Sequence, residues 1–199
     1  MNTMITHTNP EKVTESFQSQ KPYPYIQIEN FLEPEIFAGV KQAVTTLEFY
    51  PKSSDLFDFY QTNDLVSITE PTLTAFTEYL YSEDFVAYME TLTGTKLSTK
   101  ADLFVSIYQD TNYLLPHDDK IGTRKIAFLI YLEDFTKEEG GALEIWDNKD
   151  GVPTKIVDTI IPKANSLALF EVSEKSFHAV EEVVVDKQRI AITGWYHAR

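Results

Sequence analysis

The sequence predicts a mainly β protein in which N-terminal helices support a sandwich, jelly roll or barrel. From Leu97 onward, short β-rich runs alternate with turn residues, which is typical of such architectures. The preceding third instead contains stretches bounded by proline and glycine, as helices often are. With 199 residues, of which 43% are hydrophobic and 13% aromatic, the chain can bury a substantial core.

The N-terminal elements are expected in a simple order. Residues 1–20 are polar and predict a flexible tail, and residues 21–199 then form one domain, with helical support over about 30–94 and a β core over about 97–197. Strand-like alternation at 23–28 precedes the helical part, whose first helix is expected from Pro34 to about Leu47. A second helix is expected from Leu73 to Thr93, ending at Gly94, and the aromatic and acidic segment 55–61 between the two helices has no clear periodicity.

The β core is expected to contain six strands. Each run is rich in β-branched or aromatic residues, and turn residues such as Asn112, Gly122 and Pro162 separate them. The runs are 103–108, 126–132, 142–146, 166–170, 181–185 and 190–196.

Composition excludes several classes of function. The absence of cysteine excludes disulfides, thiolate zinc sites and cysteine nucleophiles, and it fits a reducing cytoplasm. A net charge of −14 argues against direct nucleic-acid binding and favours a basic partner, if charge steers any partner at all. No run of eighteen apolar residues and no signal peptide is found, so we expect a cytoplasmic protein without a membrane partner; the oligomeric state is not encoded in any pattern.

Two of the four histidines are candidate metal ligands. His7 lies in the polar tail and His197 lies near the C-terminus, which leaves His117, in Pro116-His117-Asp118-Asp119, and His178. In an extended chain, side chains two residues apart share a face, so an imidazole and the Asp119 carboxylate can point to one place.

His178, far along the chain, would complete the set. The stretch between His117 and His178 is long enough for four strands. Two imidazoles and one carboxylate on one face leave three positions open, an arrangement that favours non-haem Fe(II). Taken singly, the triplet could be a polar turn and His178 a hydrogen-bonded surface or core histidine.

Arg189 is the second unusual residue, because a cation begins an otherwise apolar strand. Period-two alternation places Arg189 on one face with Ala191, Thr193 and Trp195. A buried guanidinium needs a partner, and a carboxylate ligand bound through two hydrogen bonds is one candidate. The alternatives are that Arg189 reaches solvent or pairs with an acidic side chain such as Glu171 or Glu181.

The motifs together resemble a known family. Five of them occur in order: Pro116-His117-Asp118-Asp119, Ile130-Tyr131-Leu132, Gly140-Gly141-Ala142-Leu143, Phe177-His178-Ala179-Val180-Glu181-Glu182-Val183 and Arg189-Ile190-Ala191-Ile192-Thr193-Gly194-Trp195-Tyr196-His197. As a joint pattern they resemble the prolyl-4-hydroxylase superfamily of Fe(II)- and 2-oxoglutarate-dependent dioxygenases, in particular the catalytic domain of the ribosomal-protein prolyl hydroxylases. The likeness spans roughly residues 22–197.

This resemblance implies a fold, a chemistry and a site. It implies a double-stranded β-helix and hydroxylation that uses Fe(II), 2-oxoglutarate and O₂, with ascorbate as an optional addition. By resemblance, His117, Asp119 and His178 hold the metal, and Arg189 and Tyr131 hold the far carboxylate of 2-oxoglutarate. The remaining matched positions are a second tyrosine near the co-substrate, Tyr108, and the pocket walls Thr193 and Trp195. The alternative for both tyrosines is aromatic packing in the core.

The substrate implied by the resemblance is a prolyl residue in a protein, such as a ribosomal protein or a translation factor. Two departures from the ribosomal type weaken the transfer of its substrate to this sequence. Ala191 stands where that type often has serine, and that type carries a second, catalytically silent β-helix domain beyond the part that these 199 residues resemble. The alternatives are the same chemistry on a free amino acid or small molecule, and a silent β-helix that only binds a partner. A metal-binding cupin of another function is disfavoured, because such sites usually draw on more histidines.

Overall fold

The computed structural model describes residues 3–6 and 10–199. Four α-helices are found in these ranges: α1 at Pro10–Ser19, α2 at Pro34–Val44, α3 at Pro71–Leu80 and α4 at Glu83–Thr93. Pro34 and Pro71 each begin a helix, as expected for a residue without an N–H to donate.

The single helix predicted over residues 73–93 is wrong, because the chain forms two. The interruption lies at Ser82, where the backbone is extended. The side-chain hydroxyl of Ser82 caps α4 by accepting a hydrogen bond from the N–H of Phe85. The predicted end at Gly94 is confirmed, and this residue adopts the left-handed conformation with φ of 71°. Helix α2 ends three residues earlier than expected, at Val44.

The predicted flexible tail is also wrong for the described part of residues 1–20. Helix α1 covers half of it, and Phe17 is buried in the core with Val13 packed one turn before it. This spacing of four residues gives an otherwise polar helix an apolar face, which the overall polarity concealed. Ile5 is buried too and bridges to Leu32, whereas residues 1–2 and 7–9 lie outside the described residues.

Eleven antiparallel strands are present in the described residues and join into one strongly bent sheet. Their bounds are β1 Tyr25–Ile28, β2 Tyr50–Ser54, β3 Phe57–Gln61, β4 Leu97–Tyr108, β5 Tyr113–His117, β6 Arg124–Tyr131, β7 Leu143–Lys149, β8 Val152–Ile160, β9 Ser166–Glu171, β10 His178–Val180 and β11 Arg189–Ala198. The order across the sheet is β1-β9-β6-β11-β4-β3-β5-β10-β7-β8, with β2 paired to β3.

The strand predictions hold for the long runs and fail for the short or polar ones. Strands β4, β9 and β11 each contain a predicted run, and β6 and β7 each match one to within a single residue at one end. The strand predicted at 181–185 is wrong: the strand is β10, three residues earlier, and Val183 is a buried loop residue that only bridges to Gly140. Polar strand β8 and the β2–β3 hairpin were not expected, because the apolar alternation that marks a half-buried strand is absent there.

Two layers of core explain how the sheet is arranged. One layer packs the helices against the outer face of β4, β6, β9 and β11, and it includes Ile192 and Tyr196. The other lies inside the bend, where Leu129, Tyr131 and Ala191 meet Leu143 and Ile145 from the opposite half of the sheet. A mainly β double-stranded β-helix with supporting helices, the fold implied by the resemblance, is therefore confirmed.

Among the described residues, no helix has the length and apolar character needed to cross a membrane.

Candidate metal and co-substrate site

The structure brings His117, Asp119 and His178 together. The Nε2 atom of His117 lies 3.3 Å from Oδ1 of Asp119, and Nε2 of His178 lies 3.2 Å from Oδ2 of the same carboxylate. The candidate ligand atoms all lie within 4.8 Å of one another. Among the described residues, this is the group of His, Asp and Glu side chains that could hold a metal ion.

Strand pairing places the two histidines. His178 begins β10 and is the direct cross-strand partner of His117, the last residue of β5. Four strands, β6 to β9, lie between them in sequence, the number that the length of this stretch allows, although only three of them were predicted as runs. The two rings are 4.2 Å apart between centroids.

Asp119 reaches the site by a different route from the one expected. It lies beyond the end of β5, and its φ of 58° is in the left-handed region rather than in extended chain. This conformation is uncommon for residues other than glycine, although aspartate tolerates it better than most. The turn at Asp119, and not alternation along a strand, therefore directs the carboxylate toward the two imidazoles.

Hydrogen bonds to the outer ring nitrogens orient both histidines. Nδ1 of His117 lies 2.9 Å from the carbonyl oxygen of Leu115, and Nδ1 of His178 lies 2.7 Å from that of Ser176. Because a carbonyl only accepts, Nδ1 carries the proton in the neutral form of each ring, and in that form Nε2 directs its lone pair toward the carboxylate. Three electron-pair donors that converge in this way repel one another unless protons or a cation lie between them, so the residues fit a metal ion.

The pKa values of the three groups reflect this crowding. Burial lowers the pKa of His117, but the hydrogen bond and charge of Asp119 outweigh it, and the net pKa is raised. Burial and then the charge of His117 lower the pKa of His178, against the opposing effect of Asp119. Burial would raise the pKa of Asp119, but the two histidines hold it well below its usual range. The carboxylate is thus ionised at neutral pH, as a metal ligand must be.

Two further side chains fix the carboxylate. Nε1 of Trp195 donates a 2.7 Å hydrogen bond to Oδ2 of Asp119. The Arg124 guanidinium lies 3.8 Å from the Trp195 ring centroid and 3.9 Å from Oδ1 of Asp119, and it also bonds to Asp102. Trp195, predicted only as a pocket wall, therefore also orients the Asp119 carboxylate.

Arg189 is buried beside this cluster, with 1% of its surface exposed. Its Nε donates to the carbonyl oxygen of Gly141 at 2.6 Å, and one terminal nitrogen lies 3.3 Å from the Tyr131 hydroxyl. The other terminal nitrogen has no hydrogen-bond partner in the structure. Within the described ranges no carboxylate forms a salt bridge with Arg189, so the alternatives of solvent exposure and pairing with Glu171 or Glu181 are excluded there.

The two predicted tyrosines enclose the guanidinium. Its central carbon lies 5.1 Å from the Tyr108 ring centroid and 5.0 Å from that of Tyr131. Burial raises the pKa of both tyrosines, so their hydroxyls remain protonated and can donate. Tyr108 also stacks on Phe59, at 4.9 Å between ring centroids. Tyr108 therefore packs in the core and also lies beside the arginine.

One cavity connects these groups. Seven of the eight predicted site residues line it, and Tyr131 contacts it through Arg189: the seven are Tyr108, His117, Asp119, His178, Arg189, Thr193 and Trp195. Apolar side chains such as Leu143 and Phe170 form much of the remaining wall. Side chains that could hold a metal ion and a buried, partly unpaired guanidinium share one apolar cavity, an arrangement that can orient a small dianion chelating the metal at one end.

The other two histidines are not part of this site. His197 instead lies 3.3 Å from Asp102 and 3.1 Å from Thr123, while His7 is outside the described residues. Sequence reasoning missed Arg124. Like Arg189, it is a cation that begins an apolar strand, so the same argument applied to β6 would have identified it.

Comparison with known proteins agrees with this geometry. Residues 103–197 match the model of the 2OG-Fe(II) oxygenase superfamily. The region 103–197, which holds the candidate site, belongs to this superfamily. The match begins within β4 and ends within β11, so it includes every residue of the proposed metal and carboxylate sites. Together with the His-Asp-His cluster, membership implies Fe(II) and 2-oxoglutarate as cofactor and co-substrate.

Similar proteins include prolyl hydroxylases. A protein of Xenopus laevis named prolyl 3-hydroxylase OGFOD1 is 38% identical over 178 residues, which cover 88% of this chain and 34% of the relative. One of Ostreococcus tauri named prolyl 3,4-dihydroxylase OGFOD1 is 38% identical over 197 residues, 89% of this chain and 38% of the relative. The chain thus spans about a third of the length of the curated relatives it matches.

The fold likeness extends to solved structures. A Pseudomonas putida prolyl-4-hydroxylase superimposes with a TM-score of 0.71 at 15% identity, covering 94% of this chain and 99% of that one. At this level of identity the likeness concerns the fold alone.

Proposed function

We propose that this chain is an Fe(II)- and 2-oxoglutarate-dependent dioxygenase that hydroxylates a prolyl residue in a protein substrate. His117, Asp119 and His178 hold the metal, and Arg189 with Tyr131 binds the far carboxylate of 2-oxoglutarate. One observation carries the proposal: a convergent pair of imidazoles and a carboxylate share a cavity with a buried guanidinium that has one unpartnered nitrogen.

The protein residues have separate tasks in this reaction. Bound Fe(II) with 2-oxoglutarate supplies the capacity to activate O₂ and hydroxylate a C–H bond, with succinate and CO₂ as by-products. The backbone carbonyls at Leu115 and Ser176 keep the Nε2 lone pairs directed at the metal position. Arg189 fixes the far end of the co-substrate in a buried place, where its charge interacts strongly because little water screens it. The apolar wall keeps water from the reacting groups.

A protein substrate is supported by the names of the relatives. Both OGFOD1 proteins are named as prolyl hydroxylases, and their likeness covers nearly nine-tenths of this chain. Because the chain corresponds to only about a third of each of them, recognition of a particular substrate is a separate question from the chemistry.

The surface near the site supports a peptide that is apolar and basic. Leu56, Leu115 and Ile121 are 58%, 43% and 65% exposed. Leu115 and Ile121 lie two residues from metal-site positions in sequence, and Leu115 pairs through its backbone with Leu56. Asp58 and Asp118 are partly exposed in the same segments. A cationic segment would be attracted to this surface and to the net charge of −14.

The alternative hypotheses require different sites. A catalytically silent binding module does not require a complete set of metal-ligating side chains with an unpaired arginine nitrogen beside it, so the site argues against this hypothesis. Hydroxylation of a free amino acid or small molecule needs the same site and differs only in the substrate. A cytoplasmic location is part of the proposal, supported by the absence of cysteine.

One experiment tests the chemistry and the substrate together. The protein is loaded anaerobically with Fe(II) and 2-oxoglutarate, then exposed to O₂ with a panel of proline-containing basic peptides, free proline and free arginine. We expect succinate release and a gain of one oxygen atom in a peptide, located to proline by fragmentation. Oxygen gain in the free amino acids alone selects the small-molecule reading. No 2-oxoglutarate turnover with any substrate, in protein shown to bind Fe(II), contradicts the enzyme proposal.

A further inference from the structure

Ser106 is buried in the wall of the same cavity and has no assigned task. It lies on β4, is 3% exposed, and its hydroxyl has no hydrogen-bond partner. Among the described residues only three buried side-chain atoms lack a partner: the hydroxyls of Thr77 and Ser106, and a terminal nitrogen of Arg189. Two of these three therefore line one cavity, whereas Thr77 belongs to helix α3.

Strand register places Ser106 close to the carboxylate-binding groups. Its direct partner on β11 is Ala191, and the direct partner of Arg189 is Tyr108, two residues further along β4. Ala191 is in turn paired with Tyr131 on β6. Ser106 and Tyr131 thus flank Ala191 on both sides, and neighbours of this kind have Cβ atoms about 5 Å apart.

Ala191 provides no polar group to this row. Its side chain is a methyl group that is fully buried between the two flanking strands. A carboxylate bound by Arg189 and Tyr131 has about four acceptor positions, more than those two donors fill. A buried hydroxyl without a partner is costly in an empty cavity and favourable once an acceptor arrives.

We propose that the hydroxyl of Ser106 donates a hydrogen bond to the far carboxylate of 2-oxoglutarate, beside Arg189 and Tyr131. Ser106 is then a further binding residue for the far carboxylate. It supplies from β4 a contact that Ala191 cannot supply from β11. This inference rests on the proposed function, because it assumes that 2-oxoglutarate occupies the cavity.

The test compares two ligands on manganese-loaded protein. Mn(II) replaces Fe(II) so that binding is measured without turnover, by calorimetry on the full chain. We expect Ser106→Ala to weaken 2-oxoglutarate binding about tenfold, equivalent to about 1.4 kcal/mol. Oxalate can chelate the same metal but has no far carboxylate, so its affinity should be unchanged. In the Ser106→Ala, Ala191→Ser double variant the hydroxyl moves to the partner strand, and recovery of 2-oxoglutarate affinity would support the assignment.

The control is Thr77→Val, which removes the buried unpartnered hydroxyl that is remote from the cavity. It should leave the affinity for both ligands unchanged. A dissociation constant of Ser106→Ala for 2-oxoglutarate within twofold of wild type overturns the inference, and so does an equal loss of oxalate binding, which would indicate a general disturbance. If wild-type protein binds Mn(II) but no 2-oxoglutarate, the proposed function itself fails.

Discussion

Replacing Arg189 with methionine should change the affinity for 2-oxoglutarate much more than the stability of the fold. The guanidinium is buried and has no acidic partner among the described residues, so the empty protein carries an uncompensated charge. Methionine has similar length, is apolar and adapts well to irregular spaces. Arg189→Met should therefore affect the empty protein and its complex with 2-oxoglutarate very differently.

The size of each effect follows from the contacts of Arg189. Its removal loses hydrogen bonds to Gly141 and Tyr131, each worth about 1 kcal/mol net, and two contacts with aromatic rings. It also removes a buried charge whose desolvation costs several kcal/mol. These changes offset one another, so we expect the unfolding free energy without 2-oxoglutarate to stay within about 2 kcal/mol of wild type. Loss of the buried charge pair with the ligand should cost about 3 kcal/mol, a weakening of more than a hundredfold.

Two measurements check this expectation. Denaturant unfolding gives the stability of both proteins without co-substrate, and calorimetry with Mn(II) gives their affinity for 2-oxoglutarate. Arg189→Lys is the matched control, because it keeps the charge but loses the planar pair of donors and should bind with intermediate affinity. The reasoning is refuted if Arg189→Met binds 2-oxoglutarate within tenfold of wild type.

Three further predictions concern the metal. His178→Ala should abolish 2-oxoglutarate decarboxylation in the presence of Fe(II), measured as succinate release; substantial residual release contradicts the ligand assignment. Trp195→Phe removes the hydrogen bond to Asp119 and should weaken Mn(II) binding about 10- to 100-fold. An Mn(II) affinity equal to that of wild type would argue against an orienting role for Trp195. Because a histidine must be neutral to bind a metal, Mn(II) affinity should fall as pH falls through the raised pKa of His117, which lies above the usual 6.5. A calorimetric pH series checks this, and affinity that rises toward acid pH opposes it.

The sequence predicts the strand face of β11 well, because the physical rule is simple there. Alternation separates Arg189, Thr193 and Trp195, which line the cavity, from Ile192 and Tyr196, which pack under the helices. A buried strand with one charged residue leaves few arrangements that avoid an unpaired charge. The burial of Arg189 at the cavity, without an acidic partner among the described residues, was therefore predictable from the sequence.

Other features depend on tertiary contacts that no local pattern contains. The left-handed turn at Asp119 has no glycine to mark it. Phe17 and Val13 are two apolar residues in a polar segment, and only the core that receives Phe17 makes their spacing decisive. The break at Ser82 was visible in principle, since a serine followed by acidic residues is a common start of a helix, but the continuous helical composition on both sides concealed it.

The approach of His117 and His178 depends on strand register, whereas Asp119 reaches them through its turn. His178 opposes His117 on β5 and Ile145 on β7, so β10 is held from both sides although it is only three residues long. Because side chains alternate between the faces, a slip of one residue would present Ala179 to the cavity and turn His178 away from Asp119. Substitutions that weaken the β5–β10–β7 pairing should therefore reduce metal affinity before they unfold the protein. Apolar side chains on these strands, such as Ile145 and Val180, thus help to hold the two histidines in register as well as forming the core.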